Sequence, residues 1–126
     1  MSILVDSSVW IDYFRGGNQS APLDLLLENN SICTCGLILA EILPFLIVRN
    51  QKKLVSLMHT IPNVACTPDW KRITRYQAQC LKKGINGIGI PDLIIAQTAL
   101  DNECTLFSLD NHFDMIQKVI PLRLFK

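Results

Sequence analysis

Asp6, Glu41, Asp92 and Asp110 are the residues of this sequence best suited to chemistry. Glu41 stands inside Leu37-Ile38-Leu39-Ala40-Glu41-Ile42-Leu43, and Asp92 inside Ile88-Gly89-Ile90-Pro91-Asp92-Leu93-Ile94-Ile95-Ala96. A carboxylate among such side chains is costly unless it is paired, hydrogen-bonded or bound to a cation. Neither acid has a Lys or Arg at helical spacing. One divalent cation would serve several such carboxylates, and a hard all-oxygen site suits Mg²⁺ or Mn²⁺. Each acid also has a plainer reading. Asp6, before Ser7-Ser8, and Asp92 and Asp110 can cap helices, and singly Asp6 and Asp110 read best as caps. Glu41 has no capping role and tips the balance. Asp12, Asp24, Asp69, Asp101 and Glu103 read as surface charges.

Positioning these acids falls to alternating strands and helices. The pattern predicts strands over 2–5, 31–34, 64–66, 104–107 and 119–124. It predicts helices over 7–15, 22–28, 36–48 (bent at Pro44), 51–59, 70–81, 91–102 and 111–117. Gly84, Gly87 and Gly89 make a loop before Pro91 starts a helix. Such alternation implies an α/β fold with a parallel sheet and helices on both faces. Open α/β sheets bind ligands beyond the carboxyl ends of their strands. Asp6 ends the first strand, Asp110 closely follows 104–107, Asp92 opens a helix and Glu41 lies one to two turns into one. All four have a route to one end of the sheet.

The 126 residues, 49% hydrophobic and 18% charged, imply one globular domain over 1–126 with apolar surface to spare for a partner chain. The apolar run 36–48 contains Glu41 and Pro44 and falls short of the about 20 residues that span a bilayer. The N-terminus has no basic region before its apolar residues, so a cytoplasmic protein is expected. Cysteines at 33, 35, 66, 80 and 104 show no zinc spacing and read as reduced core residues. With four acids set aside, seven remain against twelve Lys and Arg, an excess of about five positive charges elsewhere. Arg49, Lys52, Lys53, Lys71, Arg72, Arg75, Lys82 and Lys83 face only Asp69 in their stretch. Alone this is a solvated face; beside an acidic pocket it becomes a track for phosphates. His59 and His112 share no nucleophile arrangement and read as structural. Trp10, Tyr13 and Phe14, at helical spacing, read as core or interface rather than as base-stacking residues.

The segment Val5-Asp6-Ser7-Ser8-Val9-Trp10-Ile11-Asp12-Tyr13-Phe14-Arg15-Gly16 resembles the opening of VapC-type toxins of the PIN-domain superfamily. Leu39-Ala40-Glu41-Ile42, Ile90-Pro91-Asp92-Leu93-Ile94-Ile95-Ala96-Gln97-Thr98-Ala99 and Leu106-Phe107-Ser108-Leu109-Asp110-Asn111-His112-Phe113 extend the resemblance in order along the chain. It implies a PIN-like three-layer α/β/α sandwich with a mainly parallel central sheet. It also implies a metal-dependent endoribonuclease using Mg²⁺, with Mn²⁺ as substitute, and leaving 5′-phosphate and 3′-hydroxyl ends. Asp6, Glu41, Asp92 and Asp110 carry over as the acidic site, with Glu41 as ligand or base. Ser8 matches a small polar position, and Ser108 a hydroxyl that fixes the carboxylates. His112 departs from the pattern, since some members carry an acid there; Asp114, one helical turn beyond Asp110, offers partial compensation. A VapB-like antitoxin and a second copy are the implied partners, with the helix around 37–48 as part of an interface. The competing reading is a non-catalytic PIN-like module binding RNA or protein, or a housekeeping PIN nuclease with no antitoxin. An aspartyl phosphatase would want an Asp at Ser8, and a receiver domain an acidic pair after the first strand.

Overall fold

The structure, a computed structural model, describes residues 2–126. Three short parallel strands form the sheet: β1 (Ile3–Val5), β2 (Ile32–Cys33) and β3 (Thr105–Phe107), in the order β2-β1-β3. Leu4 of β1 lies opposite Cys33 and Leu106, and Val5 opposite Phe107. Leu4, Val5, Cys33, Leu106 and Phe107 are all buried. These apolar, partly β-branched runs read as strands because both neighbours of the central strand are parallel and covered.

Among the described residues seven helices complete this α/β fold: α1 (Ser7–Phe14), α2 (Pro22–Glu28), α3 (Gly36–Val48), α4 (Lys52–Thr60), α5 (Trp70–Lys82), α6 (Ile90–Asp101) and α7 (His112–Ile116). Helix α3 packs on α1, α4 and α6, while α6 also meets α5, α7 and β3. It continues through Pro44 and turns Ile38, Ile42 and Leu46 into the core. Helix α6 is buried along most of its length, Leu93 and Ile95 to Ala99 included. Its Gln97 side chain accepts from the Asp69 amide (2.9 Å) and donates to the Thr67 carbonyl (2.9 Å) and Asp101 (2.9 Å). Asp69 in turn caps α5, accepting from the amides of Lys71 and Arg72. Both Asp69 and Asp101, read as surface charges, thus hold α5 to α6. Asp12 does comparable work after α1. It accepts from the Ser20 amide at 2.9 Å, and a Cβ at Gly17 would collide with its carboxylate.

Two of the expected strands are not strands. Segment 64–66 forms no bridge of its own: Asn63, just before it, bridges to Thr34, Val64 adds an amide bond to the Thr34 carbonyl at 2.8 Å, and the flanking Pro62 and Pro68 lack the amide a ladder needs. Segment 119–124 begins as a continuation of the turns after α7, the Ile120 amide bonding the Ile116 carbonyl. Pro121 then interrupts it, and only Leu124 bridges to Leu106. Four of the five free cysteines are buried as core residues, whereas Cys66 is half-buried; Cys33 and Cys104 meet at 3.7 Å between sulfurs. Burial pushes the Cys33 thiol up to about 12 and the Cys35 thiol to about 11. Trp10 is fully buried and stacks on Phe14 at 5.7 Å.

Candidate metal centre

Because β1 and β3 are adjacent and parallel, whatever follows them emerges at one end of the sheet. Asp6 follows Val5, and the Asp6 amide bonds the Phe107 carbonyl at 2.9 Å. This pins the two strand ends together and brings the segment Ser108 to Asp110 beside Asp6. Asp6 has the backbone of an N-cap for α1, but its side chain makes no capping hydrogen bond. Its carboxylate is instead held by two hydroxyls: Ser8 Oγ donates to Oδ2 at 2.8 Å and Ser108 Oγ at 2.9 Å. Each hydroxyl is itself fixed by an amide, Leu109 N–H to Ser8 Oγ and Asp110 N–H to Ser108 Oγ, both at 3.0 Å.

Asp6 is 5% exposed, the most buried acid of the group. Burial pushes its carboxyl above the ordinary value; the Ser8 and Ser108 hydroxyls, then the first-turn amides of Ser7 and Ser8, pull part of the way back. Glu41 is different. Apolar neighbours along the sequence suggested a buried acid, yet α3 turns Ile38 and Ile42 inward and leaves Glu41 on the exposed rim. Ser7 Oγ lies 3.4 Å from Glu41 Oε1. Its carboxyl is raised, first by partial burial, then by the charge of Asp6, with a smaller push from Asp92; the Ser7 hydroxyl opposes these. The Ser7 contact places Glu41 beside the segment that carries Asp6, outside the tighter cluster of Asp92, Asp110 and His112.

Asp92, in the first turn of α6, and Asp110, before α7, converge on His112, which reads as structural from the residues alone and as a departure from an acid in the family resemblance. His112 Nδ1 lies 2.9 Å from Asp92 Oδ2 and 3.6 Å from Asp110 Oδ1. The His112 amide also donates to Asp110 Oδ1 at 2.9 Å, so Asp110 retains part of its turn-forming role. Ligand atoms of Asp92, Asp110 and His112 all lie within 4.8 Å of one another. Asp114 points elsewhere and pairs with Lys126 at 2.9 Å. Among the described residues no Lys or Arg pairs with Asp6, Glu41, Asp92 or Asp110. A donor set of carboxylates with one imidazole and no competing cation has the chemistry a divalent ion needs. His59, at the exposed end of α4, is no part of it. The signal that could have found His112 was its place two residues after Asp110, just beyond a strand.

The profile described as the PIN domain matches residues 3–119. Among solved structures, a chain of VapBC2 from Rickettsia felis, bound to a DNA fragment from its promoter, superposes with a TM-score of 0.77 at 20% identity. That match covers 99% of this chain and 98% of the other. DNA-bound VapBC from Salmonella typhimurium gives 0.75 at 14% identity, covering 99% and 97%. FitAcB from Neisseria gonorrhoeae gives 0.69 at 20%, covering 98% and 96%. No curated protein sequence matches.

Proposed function

The chain belongs to the PIN domain family, and on that premise we propose that it is a Mg²⁺-dependent endoribonuclease, the toxin of a toxin–antitoxin pair. One observation carries the reading: Asp92 and Asp110 converge on His112, Ser108 links Asp110 to Asp6, and Ser7 links the Asp6 segment to Glu41, with no Lys or Arg pairing with any of the four acids among the described residues. Asp6, Asp92 and Asp110 would hold the ion, directly or through water, with Glu41 beside them. When bound, Mg²⁺ or Mn²⁺ supplies Lewis acidity, activating water and neutralising charge on a phosphate.

The chain's own groups do the positioning. Asp6 is the rigid member, held by hydroxyls that are themselves held by amides. Ser108 ties it to Asp110, so the two carboxylates keep their separation. Glu41, on the rim with its carboxyl raised, is the group suited to accept a proton from an attacking water. Exposed Lys52, Lys53, Lys71, Arg75, Lys82 and Lys83 are available for RNA phosphates, whereas Arg72 is occupied by Asp101 at 2.6 Å. Two apolar surfaces suit the expected partners, a VapB-like antitoxin and a second copy. One is the end of α3, where Val48 is 82% exposed beside Ile47; the other is formed by Trp70, Leu81 and Ile90. No described helix is long and apolar enough to cross a membrane, and the proposed substrate places the work in the cytoplasm.

Purified protein should cut structured RNA with Mg²⁺ and stop on chelation, and Asp6→Asn or Asp92→Asn should abolish cutting while keeping the fold. EDTA-resistant cleavage, or full activity in both variants, would remove the metal-nuclease reading. Expression should arrest growth unless the antitoxin is made alongside; harmless expression of active enzyme would refute the toxin role.

A further inference from the structure

We propose that His112 is a direct ligand of the divalent ion and tilts the site from Mg²⁺ towards Mn²⁺. The inference rests on the nuclease reading and adds a ligand and a metal preference to it. Adjacent ligands on a six-coordinate ion with bonds of about 2.1 Å stand about 3 Å apart. Nδ1 of His112 stands 2.9 Å from Asp92 Oδ2 and 3.6 Å from Asp110 Oδ1, close to that spacing. The side chain is also tethered. Its own amide bonds Asp110 Oδ1 at 2.9 Å, and Phe113, the next residue, is buried in the core. An imidazole so held needs little rearrangement to exchange its contact with Asp92 for a shared ion.

Mg²⁺ favours oxygen and keeps its waters; imidazole nitrogen suits first-row transition ions. One nitrogen among carboxylates therefore raises affinity for Mn²⁺ while leaving Mg²⁺ little changed. Metal-binding titrations on the whole protein read this preference without reference to RNA. His112→Asn should weaken Mn²⁺ binding at least about tenfold, as loss of even a supporting group often does, with Mg²⁺ affinity changed far less. Pulsed electron paramagnetic resonance of the Mn²⁺-loaded protein should show coupling to an imidazole nitrogen. That coupling should vanish in His112→Asn and persist in His59→Asn, the chain's other histidine. Mn²⁺ bound without nitrogen coupling, or an unchanged Mn²⁺/Mg²⁺ affinity ratio in His112→Asn, would overturn the ligand role and leave the nuclease reading standing. Failure of either ion to bind, with Asp92→Asn indistinguishable from the parent, would overturn both.

Discussion

Replacing Ser108 by Ala tests whether the buried carboxylate of Asp6 depends on the hydroxyls around it. The substitution deletes one oxygen that donates to Asp6 Oδ2 at 2.9 Å, accepts from the Asp110 amide at 3.0 Å and lies 3.3 Å from Ser8 Oγ. A hydrogen bond to a charged group contributes about 1.5–3 kcal/mol net. The Asp110 amide, in a part-buried place that water can reach, adds about 0.5–1 kcal/mol. The sum, about 2–4 kcal/mol, should lower the melting temperature of a 126-residue chain by about 8–15 °C. The loss should also depend on pH. Asp6 already has a folded-state carboxyl raised above 3.8 by burial, and losing Ser108 raises it further. The charged form is the one that loses most, so the deficit should be largest at neutral pH and shrink as pH falls through the folded value. Urea melts of the metal-free protein at pH 7 and near pH 4 measure both numbers, and Ser108→Thr should restore most of the loss. A deficit under about 0.5 kcal/mol at pH 7 would refute the account. So would one that does not change with pH.

The parent protein should show the same linkage without mutation. Asp6 and Glu41 both have raised folded values, so in the metal-free protein these two groups bind more protons folded than unfolded. Their contribution to stability should therefore rise as pH drops from neutral towards 3.8 and 4.5; a metal-free melting temperature that climbs with pH across that window would contradict this. Asp101 has the opposite sign. Burial acts to raise it, but Gln97 and Arg72 outweigh that and hold it low, so its contribution is lost only below 3.8. Asp69→Ala should cost about 1 kcal/mol through loss of the α5 cap and leave RNA cleavage intact, measured by denaturant melts and a cleavage assay; a dead but folded variant would extend the site to that corner. Alkylation of the native protein at pH 8 should be slow at Cys33 and Cys35, with values of about 12 and 11, and mass spectrometry should find label first on the half-buried Cys66.

Long, strongly patterned elements were readable from the residues: α2 and α3 have the predicted bounds, with Pro22 opening one and Gly36 the other. The short strands were readable only where both neighbours exist. Val64 and the tail carry β-formers, but the bridge to Thr34 falls on Asn63 and the tail finds one at Leu124 alone, and pairing is a property of the partner as much as of the segment. The same limit applies to the site. Order and spacing brought Asp6 and Asp110 to one end of the sheet, because adjacent parallel strands must release their following residues there; Asp92 comes to Asp110 through the packing of α6 on α7. Burial was not readable. Apolar neighbours made Glu41 look costly, yet a helix separates neighbours by face, and the acid that loses its water is Asp6, next to two serines. His112 was legible only as a departure from the family pattern, because a lone histidine has no periodicity to betray it; the approach of α6 to α7 is what gives it two carboxylates.

Four acids gathered at one end of a small sheet should threaten the fold itself. Two like charges 4 Å apart at an effective dielectric of 20 repel by about 4 kcal/mol, and a domain has about 5–15 kcal/mol in all. The protein manages this by treating each acid differently. Asp6 is deep but wrapped in hydroxyls, Asp92 and Asp110 share an imidazole with an amide added on Asp110, and Glu41 stays in water. None of these arrangements requires an ion for folding, in contrast to a structural zinc site. Chelation should therefore leave the secondary and tertiary circular dichroism unchanged. Restoring the ion at about a hundred times its dissociation constant should add about 2.7 kcal/mol of stability, a rise of about 10 °C in melting temperature. Unfolding on addition of EDTA would mean that the hydroxyls and the imidazole do not compensate the charge, and that the ion is part of the scaffold rather than a guest in it.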